Sequence, residues 1–351
     1  MTPDFQRLMA EATRLMRSGS LGEATAAIQQ ALGAGPAPGR PQAPDDGEVI
    51  DVEARVVDES VAPPAEARGT RSESFTAGHF KNECGARDYK LFVPAGAPRQ
   101  APLVVMLHGC TQDPDDFARG TRMNELAREQ GALVLYPAQS QRANAQRCWN
   151  WFKHNHQARG KGEPAILAGM VRDVVARHGV DADRVYVAGL SAGGAMAAIL
   201  GEAYPDLFAA IGVHSGLPAG SATDVQTAFA AMAGGPPAPR RGARQGAAPP
   251  TIVFQGDADA TVNVVNGERV IAAAGLSASS EARRGASAMG VPYTRRAWLD
   301  GQGAERGELW TLHGVGHAWS GGAPTGSYTD PRGPDASAEM LRFFLAHPRR
   351  R

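Results

Sequence analysis

Continuous apolar runs alternate with amphipathic stretches between residues 73 and 348 of the chain. The runs that predict buried strands are 103–107, 133–136, 184–188, 208–213, 251–255 and 309–312. The stretches with helical spacing of apolar residues are 115–130, 164–178, 195–203 and 333–346. Strands that are apolar throughout are buried on both faces, so this alternation predicts an α/β domain with a mostly parallel sheet covered by helices on both sides.

Two zones that precede this domain have different patterns. Apolar residues at helical spacing on both sides of Ser18-Gly19-Ser20 predict a small helical hairpin over residues 1–33, similar to one tetratricopeptide unit. A single unit cannot bury its own apolar face, so we expect it to dock on a partner or on the α/β domain. Residues 34–72, rich in proline, predict a flexible linker. We also expect 234–250 and 277–290 to be mobile surface insertions, since they carry few large apolar side chains.

Composition and charge exclude several classes of function. The chain has 36 Lys+Arg and 36 Asp+Glu, so its formal net charge is zero and nothing favours nucleic acid or an anionic membrane in general. No apolar run reaches the ~18 residues of a membrane span. No signal-peptide pattern follows Met1, which predicts a cytoplasmic protein. Three cysteines are too few for a four-Cys metal site, and no metal-ligand or phosphate-cradling motif occurs, so we predict no metal and no cofactor.

The pentapeptide Gly189-Leu190-Ser191-Ala192-Gly193 has the pattern G-x-S-x-G and lies between a predicted strand and a predicted helix. This context is typical of a sharp turn that holds a serine nucleophile in a strained backbone at the positive end of a helix. The turn requires glycine at both ends because larger side chains would collide with the neighbouring strand and helix. The pattern therefore predicts Ser191 as a catalytic nucleophile with an exposed hydroxyl.

A serine nucleophile needs a base, and the base needs an orienting carboxylate. After this type of turn the acid follows the serine in the chain, and the histidine follows the acid. The loop after the strand at 251–255 offers Asp257 and Asp259; we favour Asp259, because Asp257 is better placed to cap the turn. The loop after the last strand offers His313 and His317. We favour His317, which lies beyond two glycines, and expect His313 to pair with backbone at the strand end.

An oxyanion hole needs two backbone N–H donors. Ala192, directly after the predicted nucleophile, is expected to supply one donor. The loop that follows the strand at 103–107 is expected to supply the other, at Cys110. Because only the N–H groups act, the side chains at these two positions carry no information about the role.

Aromatic residues near these motifs are candidates for an apolar wall around the acyl group of a substrate. Trp319 lies two residues from the favoured base, and Trp149 and Trp151 alternate along one segment. Ordinary core packing is the alternative for Trp149 and Trp151. His214, which follows another predicted strand, either lines the same cleft or is a buried structural histidine.

Taken together, these motifs resemble the polyhydroxybutyrate-depolymerase-type esterases, α/β-hydrolases related to feruloyl and acetylxylan esterases. The segments that carry the resemblance are Leu107-His108-Gly109-Cys110-Thr111-Gln112, Arg147-Cys148-Trp149-Asn150-Trp151-Phe152, Gly189-Leu190-Ser191-Ala192-Gly193-Gly194, Gly256-Asp257-Ala258-Asp259 and Gly316-His317-Ala318-Trp319-Ser320-Gly321-Gly322. The resemblance covers most of residues 73–348. It implies a catalytic triad of Ser191, Asp259 and His317, with the amides of Cys110 and Ala192 as the oxyanion hole.

The resemblance also implies that Cys110 and Cys148 lie close enough to form a disulfide, which would favour export and an extracellular location. The predicted function is serine-esterase hydrolysis of short-chain hydroxyalkanoate oligomers or similar small esters. Soluble substrates are favoured over solid polymer, because neither a signal peptide nor an added polymer-binding domain is recognisable. The alternatives are a feruloyl or acetylxylan-type esterase, a serine peptidase or amidase with the same triad, and an interaction protein in which residues 1–33 act and the hydrolase is a relic.

Overall fold

The computed structural model describes residues 72–235, 248–276, 282–300 and 302–349. The chain divides into two units, Met1–Thr70 and Arg71–Arg351, and every described residue belongs to the second. The predicted hairpin at 1–33 and almost all of the predicted linker at 34–72 lie outside the described residues. The helices of the second unit are α1 (Pro114–Thr121), α2 (Met123–Gln130), α3 (Gly162–His178), α4 (Ala192–Ala203), α5 (Val225–Met232), α6 (Val265–Ala273) and α7 (Ala336–Ala346). Its strands are β1 (Ser74–Asn82), β2 (Gly85–Val93), β3 (Leu103–Leu107), β4 (Leu133–Pro137), β5 (Val185–Leu190), β6 (Ala210–His214), β7 (Thr251–Gly256), β8 (Arg283–Ala286), β9 (Pro292–Leu299), β10 (Glu305–Leu312), β11 (Trp319–Ser320) and β12 (Thr329–Asp330).

A ten-stranded sheet with the order β1-β2-β4-β3-β5-β6-β7-β10-β9-β8 forms the centre of the domain. The strands from β4 to β10 in that order run parallel, and antiparallel strands flank them on both sides. Every residue of β3 to β7 is buried, as the continuous apolar runs predict. The predicted mostly parallel sheet is confirmed, and the domain has the α/β-hydrolase fold.

Two apolar layers cover the sheet, one on each face. Successive residues of β3 alternate between them: Leu103 and Val105 pack in the layer that contains α3 and α4, and Val104 packs in the layer that contains α1, α2 and α7. A strand that is apolar throughout thus contributes side chains to both layers. Within the described ranges, every helix is too short or too polar to span a bilayer.

The strands at both edges of the sheet were not predicted. β1 contains no fully buried residue, and β8 is almost wholly exposed, so neither presents an apolar run. β8 lies inside the segment 277–290, which was predicted to be an insertion without packed structure; for the part that forms β8 this prediction is wrong. Residues 277–281, like most of 234–250, lie outside the described residues.

One predicted helix is two helices in the structure. The amphipathic stretch at 115–130 divides at Arg122, which adopts a left-handed conformation with φ 56°. The Arg122 amide donates to the carbonyl oxygen of Ala118 and so ends α1, and α2 begins at the next residue. Arg122 stands at the left-handed position where glycine usually ends a helix, so its identity does not mark the break. The apolar spacing continues past Arg122 and therefore predicts one helix.

Candidate active site

Ser191 lies on the turn between β5 and α4, with φ 57° and ψ −118°. Such a backbone is strained for a residue with a side chain. A Cβ atom on Gly189 would lie 2.4 Å from the carbonyl carbon of Gly193, and one on Gly193 would lie 2.0 Å from the carbonyl oxygen of Leu107. The structure therefore confirms that the flanking glycines are required by close approach of the neighbouring strand and helix.

His317 and Asp259, the favoured base and acid, are paired. His317 Nδ1 lies 2.8 Å from Asp259 Oδ2. The other carboxylate oxygen, Oδ1, accepts the backbone N–H groups of Thr261 and Val262, each at 2.8 Å. Burial raises the pKa of Asp259, but these hydrogen bonds outweigh it, led by that from His317, and the net pKa lies below the usual range. An ionised carboxylate holds the proton on Nδ1, which leaves His317 Nε2 able to accept one.

Strand order explains why acid and base meet. β7 and β10 are neighbours and run parallel, so the loops at their carboxyl ends lie side by side. The two loops are closely packed: a Cβ atom on Gly256 would lie 2.1 Å from the carbonyl oxygen of Val315. The Ser191 turn follows β5, which ends at the same edge of the sheet because β5, β6, β7 and β10 are all parallel.

The two candidates that were not favoured, Asp257 and His313, pair with each other. His313 Nδ1 lies 2.8 Å from Asp257 Oδ2, and His313 Nε2 lies 2.8 Å from Thr294 Oγ1. At the strand end the His313 backbone N–H donates to the carbonyl oxygen of Pro292 at 2.9 Å, as expected, and the His313 ring pairs with side chains. This second Asp–His pair is more than a third exposed, with side-chain exposures of 38% and 39%, and it ties the same two loops together at the surface.

One expected oxyanion-hole donor lies at the start of α4, directly after Ser191, and the other lies on the loop after β3. Ala192 is the first residue of α4, a position whose N–H has no acceptor within the helix. Cys110 follows β3, the parallel neighbour of β5. A disulfide joins Cys110 to Cys148, as the family resemblance implied. This bond connects the loop after β3 to the loop after β4.

The three tryptophans proposed as a substrate wall lie in the core. Trp149, Trp151 and Trp319 are 0%, 6% and 1% exposed. The Trp149 indole N–H donates to the carbonyl oxygen of His108 at 3.1 Å, and that of Trp319 donates to Ser337 Oγ at 3.0 Å. Two of the rings are held by these hydrogen bonds and all three are covered, so the expectation that they line a cleft is not met. For Trp149 and Trp151, the packing alternative holds.

His214 is a buried structural residue rather than part of the cleft. Its Nε2 accepts the backbone N–H of Ser320 at 3.0 Å, and its ring stacks on Trp319 with centroids 5.1 Å apart. Burial lowers the pKa of His214 to about 3, and the nearby His317 contributes in the same direction. A neutral ring that accepts at Nε2 carries its proton on Nδ1, 3.1 Å from Ser215 Oγ. His214 thus fixes the segment that follows His317.

Two further polar residues of the site were not singled out from the sequence. Gln112 Oε1 accepts the backbone N–H of Gly109 at 2.9 Å, and the hydroxyl of Tyr328 lies 3.4 Å from Thr111 Oγ1. Tyr328 also has φ 52°, a strained value that no local pattern predicts. In the described part of the chain, no group of three or more His, Cys, Asp or Glu side chains is placed to hold a metal ion.

A buried carboxylate organises the loop that carries Cys148. Glu163, at the start of α3, accepts the backbone N–H of Asn150 at 2.7 Å, the side-chain amide of Asn150 at 2.8 Å and Arg87 at 2.9 Å. Burial raises the pKa of Glu163, but the neighbouring His156 ring and the hydrogen bonds from Gln139 and Asn150 outweigh this and lower it to about 2. Glu163 is therefore charged and serves as the common anchor for β2, α3 and this loop.

We expect Glu163→Gln to destabilise the domain by about 3–5 kcal/mol, because Arg87 then remains buried without its charged partner. A carboxyl with a lowered folded-state pKa stabilises the fold above its unfolded-state pKa and loses this effect as the pH falls towards 2. Urea unfolding at pH 7 and pH 3 tests both points. The free energy of unfolding of the variant should be much lower than that of wild type at pH 7, and the difference should be smaller at pH 3. Equal free energies of unfolding at pH 7 would contradict the account.

Comparison with known proteins links this geometry to esterases. A sequence model described as "Esterase PHB depolymerase" matches residues 87–306. The chain is 40% identical over 143 residues to poly(3-hydroxyalkanoate) depolymerase C of Paucimonas lemoignei, an alignment that covers 41% of this chain and 34% of that protein. It is 31% identical over 139 residues to feruloyl esterase B of Thermothelomyces thermophilus, covering 39% of this chain and 47% of that protein. The matched region thus spans about a third to a half of these relatives.

A solved structure of an esterase has the same fold as this domain. An acetyl xylan esterase from Aspergillus awamori superposes with a TM-score of 0.58 at 20% sequence identity. The superposition covers 74% of this chain and 94% of the other. At this identity the likeness concerns the arrangement of strands and helices and carries no information about substrate.

Proposed function

The chain belongs to the esterase family of the PHB depolymerases, and from this membership we propose that it hydrolyses carboxylic esters with Ser191 as nucleophile, His317 as base and Asp259 as orienting acid. The observation that carries the proposal is the 2.8 Å pairing of His317 with Asp259 at the sheet edge that also bears the Ser191 turn. The same loops also hold the Asp257–His313 pair, and what favours His317 and Asp259 is burial: their side chains are 13% and 0% exposed, against 39% and 38% for His313 and Asp257.

In the proposed reaction, Ser191 Oγ attacks the ester carbonyl carbon while His317 Nε2 takes the hydroxyl proton. The carbonyl oxygen becomes an oxyanion held by the N–H groups of Cys110 and Ala192. His317 then gives its proton to the departing alkoxide, which leaves an acyl-enzyme on Ser191. Water, deprotonated by His317, attacks the acyl carbon; the bond to Ser191 Oγ then breaks, His317 returns the proton to Oγ, and the acid is released. Asp259 stays ionised throughout and stabilises the imidazolium.

For the substrate, we favour short-chain hydroxyalkanoate oligomers or similar small esters. The support is the family match together with the 40% identity to a protein named as a poly(3-hydroxyalkanoate) depolymerase. Aromatic and sugar esters form the second candidate class, supported by the 31% identity to a feruloyl esterase. Hydrolysis of either class of substrate would use the same three residues. The two classes differ only in the groups that flank the ester.

A substrate panel tests the proposed function. The purified full chain is assayed with p-nitrophenyl butyrate, a 3-hydroxybutyrate trimer, methyl ferulate, an acetylated xylo-oligosaccharide and a peptide anilide, with Ser191→Ala as the control. We expect the two aliphatic esters to give the highest kcat/KM. A higher value for the ferulate or the acetylated sugar would move the assignment to the second candidate class. Faster turnover of the anilide than of every ester, or no ester hydrolysis at all, would overturn the proposal.

The Cys110–Cys148 bond also supports a working location outside the reducing cytoplasm. This favours the extracellular expectation over the cytoplasmic one drawn from the N-terminal sequence. Alkylation of free thiols in fractionated cells, followed by mass spectrometry, tests it: both cysteines should be protected where the active protein is found, and labelling of both in active protein would contradict it.

A further inference from the structure

Gln112 is a buried amide that joins three separate segments of the chain. The residue is 2% exposed. Its Oε1 accepts the backbone N–H of Gly109 at 2.9 Å. Its Nε2 lies 3.1 Å from Asp116 Oδ2, at the start of α1, and 3.0 Å from the carbonyl oxygen of Ser327, between β11 and β12. One side chain thus links the loop after β3 to a loop more than two hundred residues further along the chain.

The partners of Gln112 are themselves held in place. Asp116 accepts the backbone N–H of Ser327 at 3.0 Å and is also hydrogen-bonded to the Ser327 hydroxyl. Burial raises the pKa of Asp116, but the hydrogen bonds from Ser327 and Gln112 outweigh it, so the net pKa is lowered and the group is an ionised acceptor. One residue further on, the Tyr328 hydroxyl makes the 3.4 Å contact with Thr111. The loop 321–328 is therefore attached to the loop after β3 at two points.

The amides on both sides of Cys110 are fixed by hydrogen bonds. Gly109 donates to Gln112, and Thr111 donates to the carbonyl oxygen of Gln146 at 2.7 Å. Gly109 lacks a Cβ atom, so its backbone has more conformations available than any other residue and needs an external restraint to keep one direction. The bond to Gln112 is a restraint of this kind, immediately before the expected oxyanion donor.

From this geometry we propose that Gln112 is a positioning residue that keeps the Cys110 N–H directed at the developing oxyanion. The inference rests on the proposed ester hydrolysis, because the Cys110 amide has this role only in that reaction. Loss of an oxyanion donor costs about a hundredfold to a thousandfold in kcat. Loss of the restraint misdirects the donor without removing it, so the expected loss is smaller.

Gln112→Met tests the proposal because methionine has a similar length and no hydrogen-bonding amide. We expect kcat for p-nitrophenyl butyrate to fall about tenfold to a hundredfold, with KM within about twofold of wild type. Affinity for an alkyl boronic acid, whose hydroxyl occupies the oxyanion position, should fall by the same factor as kcat/KM. The matched control is Asn266→Ala, which removes another fully buried amide, bonded to the Ala231 carbonyl at 3.0 Å, at the start of α6. It should lower thermal stability and leave kcat and boronate affinity unchanged.

Several results would overturn the proposal: an unchanged kcat in Gln112→Met, a lower kcat with unchanged boronate affinity, or equal kinetic losses in the Asn266→Ala control. If Gln112→Met does not fold, Gln112→Asn serves in its place, because the shorter amide cannot span Gly109 and Ser327; the same pattern is expected, and wild-type kinetics would overturn the proposal. Wild-type protein without any esterase activity would defeat the proposed function itself, whereas an active wild type with an equally active Gln112→Met would defeat only this inference.

Discussion

Ser191→Ala is expected to lower kcat for p-nitrophenyl butyrate by about a millionfold, because no other group can form the acyl-enzyme. Substrate binding and the oxyanion donors remain, so a residual rate above that of the uncatalysed reaction should persist. The measurement is the initial rate of purified wild type and variant in stopped assays. The variant is used at a concentration high enough to detect the residual rate.

The matched control for this prediction is Ser215→Ala. Ser215 directly follows β6 and has φ 48°, so it shares the positive φ of Ser191 without its place on the turn before α4; unlike Ser191, it is fully buried. Its removal should leave kcat within a few-fold of wild type. Equal losses in both variants, or a Ser191→Ala variant that keeps the wild-type rate, would show that the nucleophile has been wrongly assigned.

Asp259→Asn is expected to lower kcat about ten-thousandfold, with little change in KM. The amide cannot stabilise an imidazolium as a carboxylate does, and its NH₂ group favours the His317 tautomer with the proton on Nε2, which cannot act as a base. Steady-state kinetics with p-nitrophenyl butyrate at neutral pH measure the effect, and a melting curve shows whether the variant is folded.

The second Asp–His pair supplies the control for Asp259→Asn within the same loops. Asp257→Asn makes the same chemical change two residues away, in the pair with His313. Because that pair contacts Thr294 and solvent, its loss should leave kcat within a few-fold of wild type. The opposite ranking of the two variants would assign the acid to Asp257 and remove Asp259 from the mechanism.

Local patterns were sufficient to predict the turn at Ser191 and the loops of the acid and the base. The turn follows from the spacing of two glycines, and the acid and base from their places after apolar strands. In the structure Asp259 pairs with His317, and Asp257 pairs with His313. The favoured acid and base form the more buried of these two pairs. The catalytic roles themselves stay predictions until the variants are measured.

Other features depend on contacts that no local pattern contains. Gln112 is hydrogen-bonded to Ser327, which is 215 positions away in the sequence, and Glu163 is hydrogen-bonded to Arg87, which is 76 positions away. The edge strand β1 contains only exposed and half-buried residues and shows no apolar run. Trp319 lies near His317 in sequence, yet its side chain points into the core, since proximity along the chain does not fix direction.

The most direct test of the account is to identify the residue that reacts with a fluorophosphonate. The probe is attacked by an activated hydroxyl, fluoride leaves, and a stable phosphonyl ester remains, which peptide mass spectrometry can locate. We predict one adduct, on Ser191, with loss of esterase activity in proportion to labelling and no adduct in Ser191→Ala. Complete inactivation with the adduct on any other residue, or full labelling of Ser191 with undiminished hydrolysis, would contradict the account.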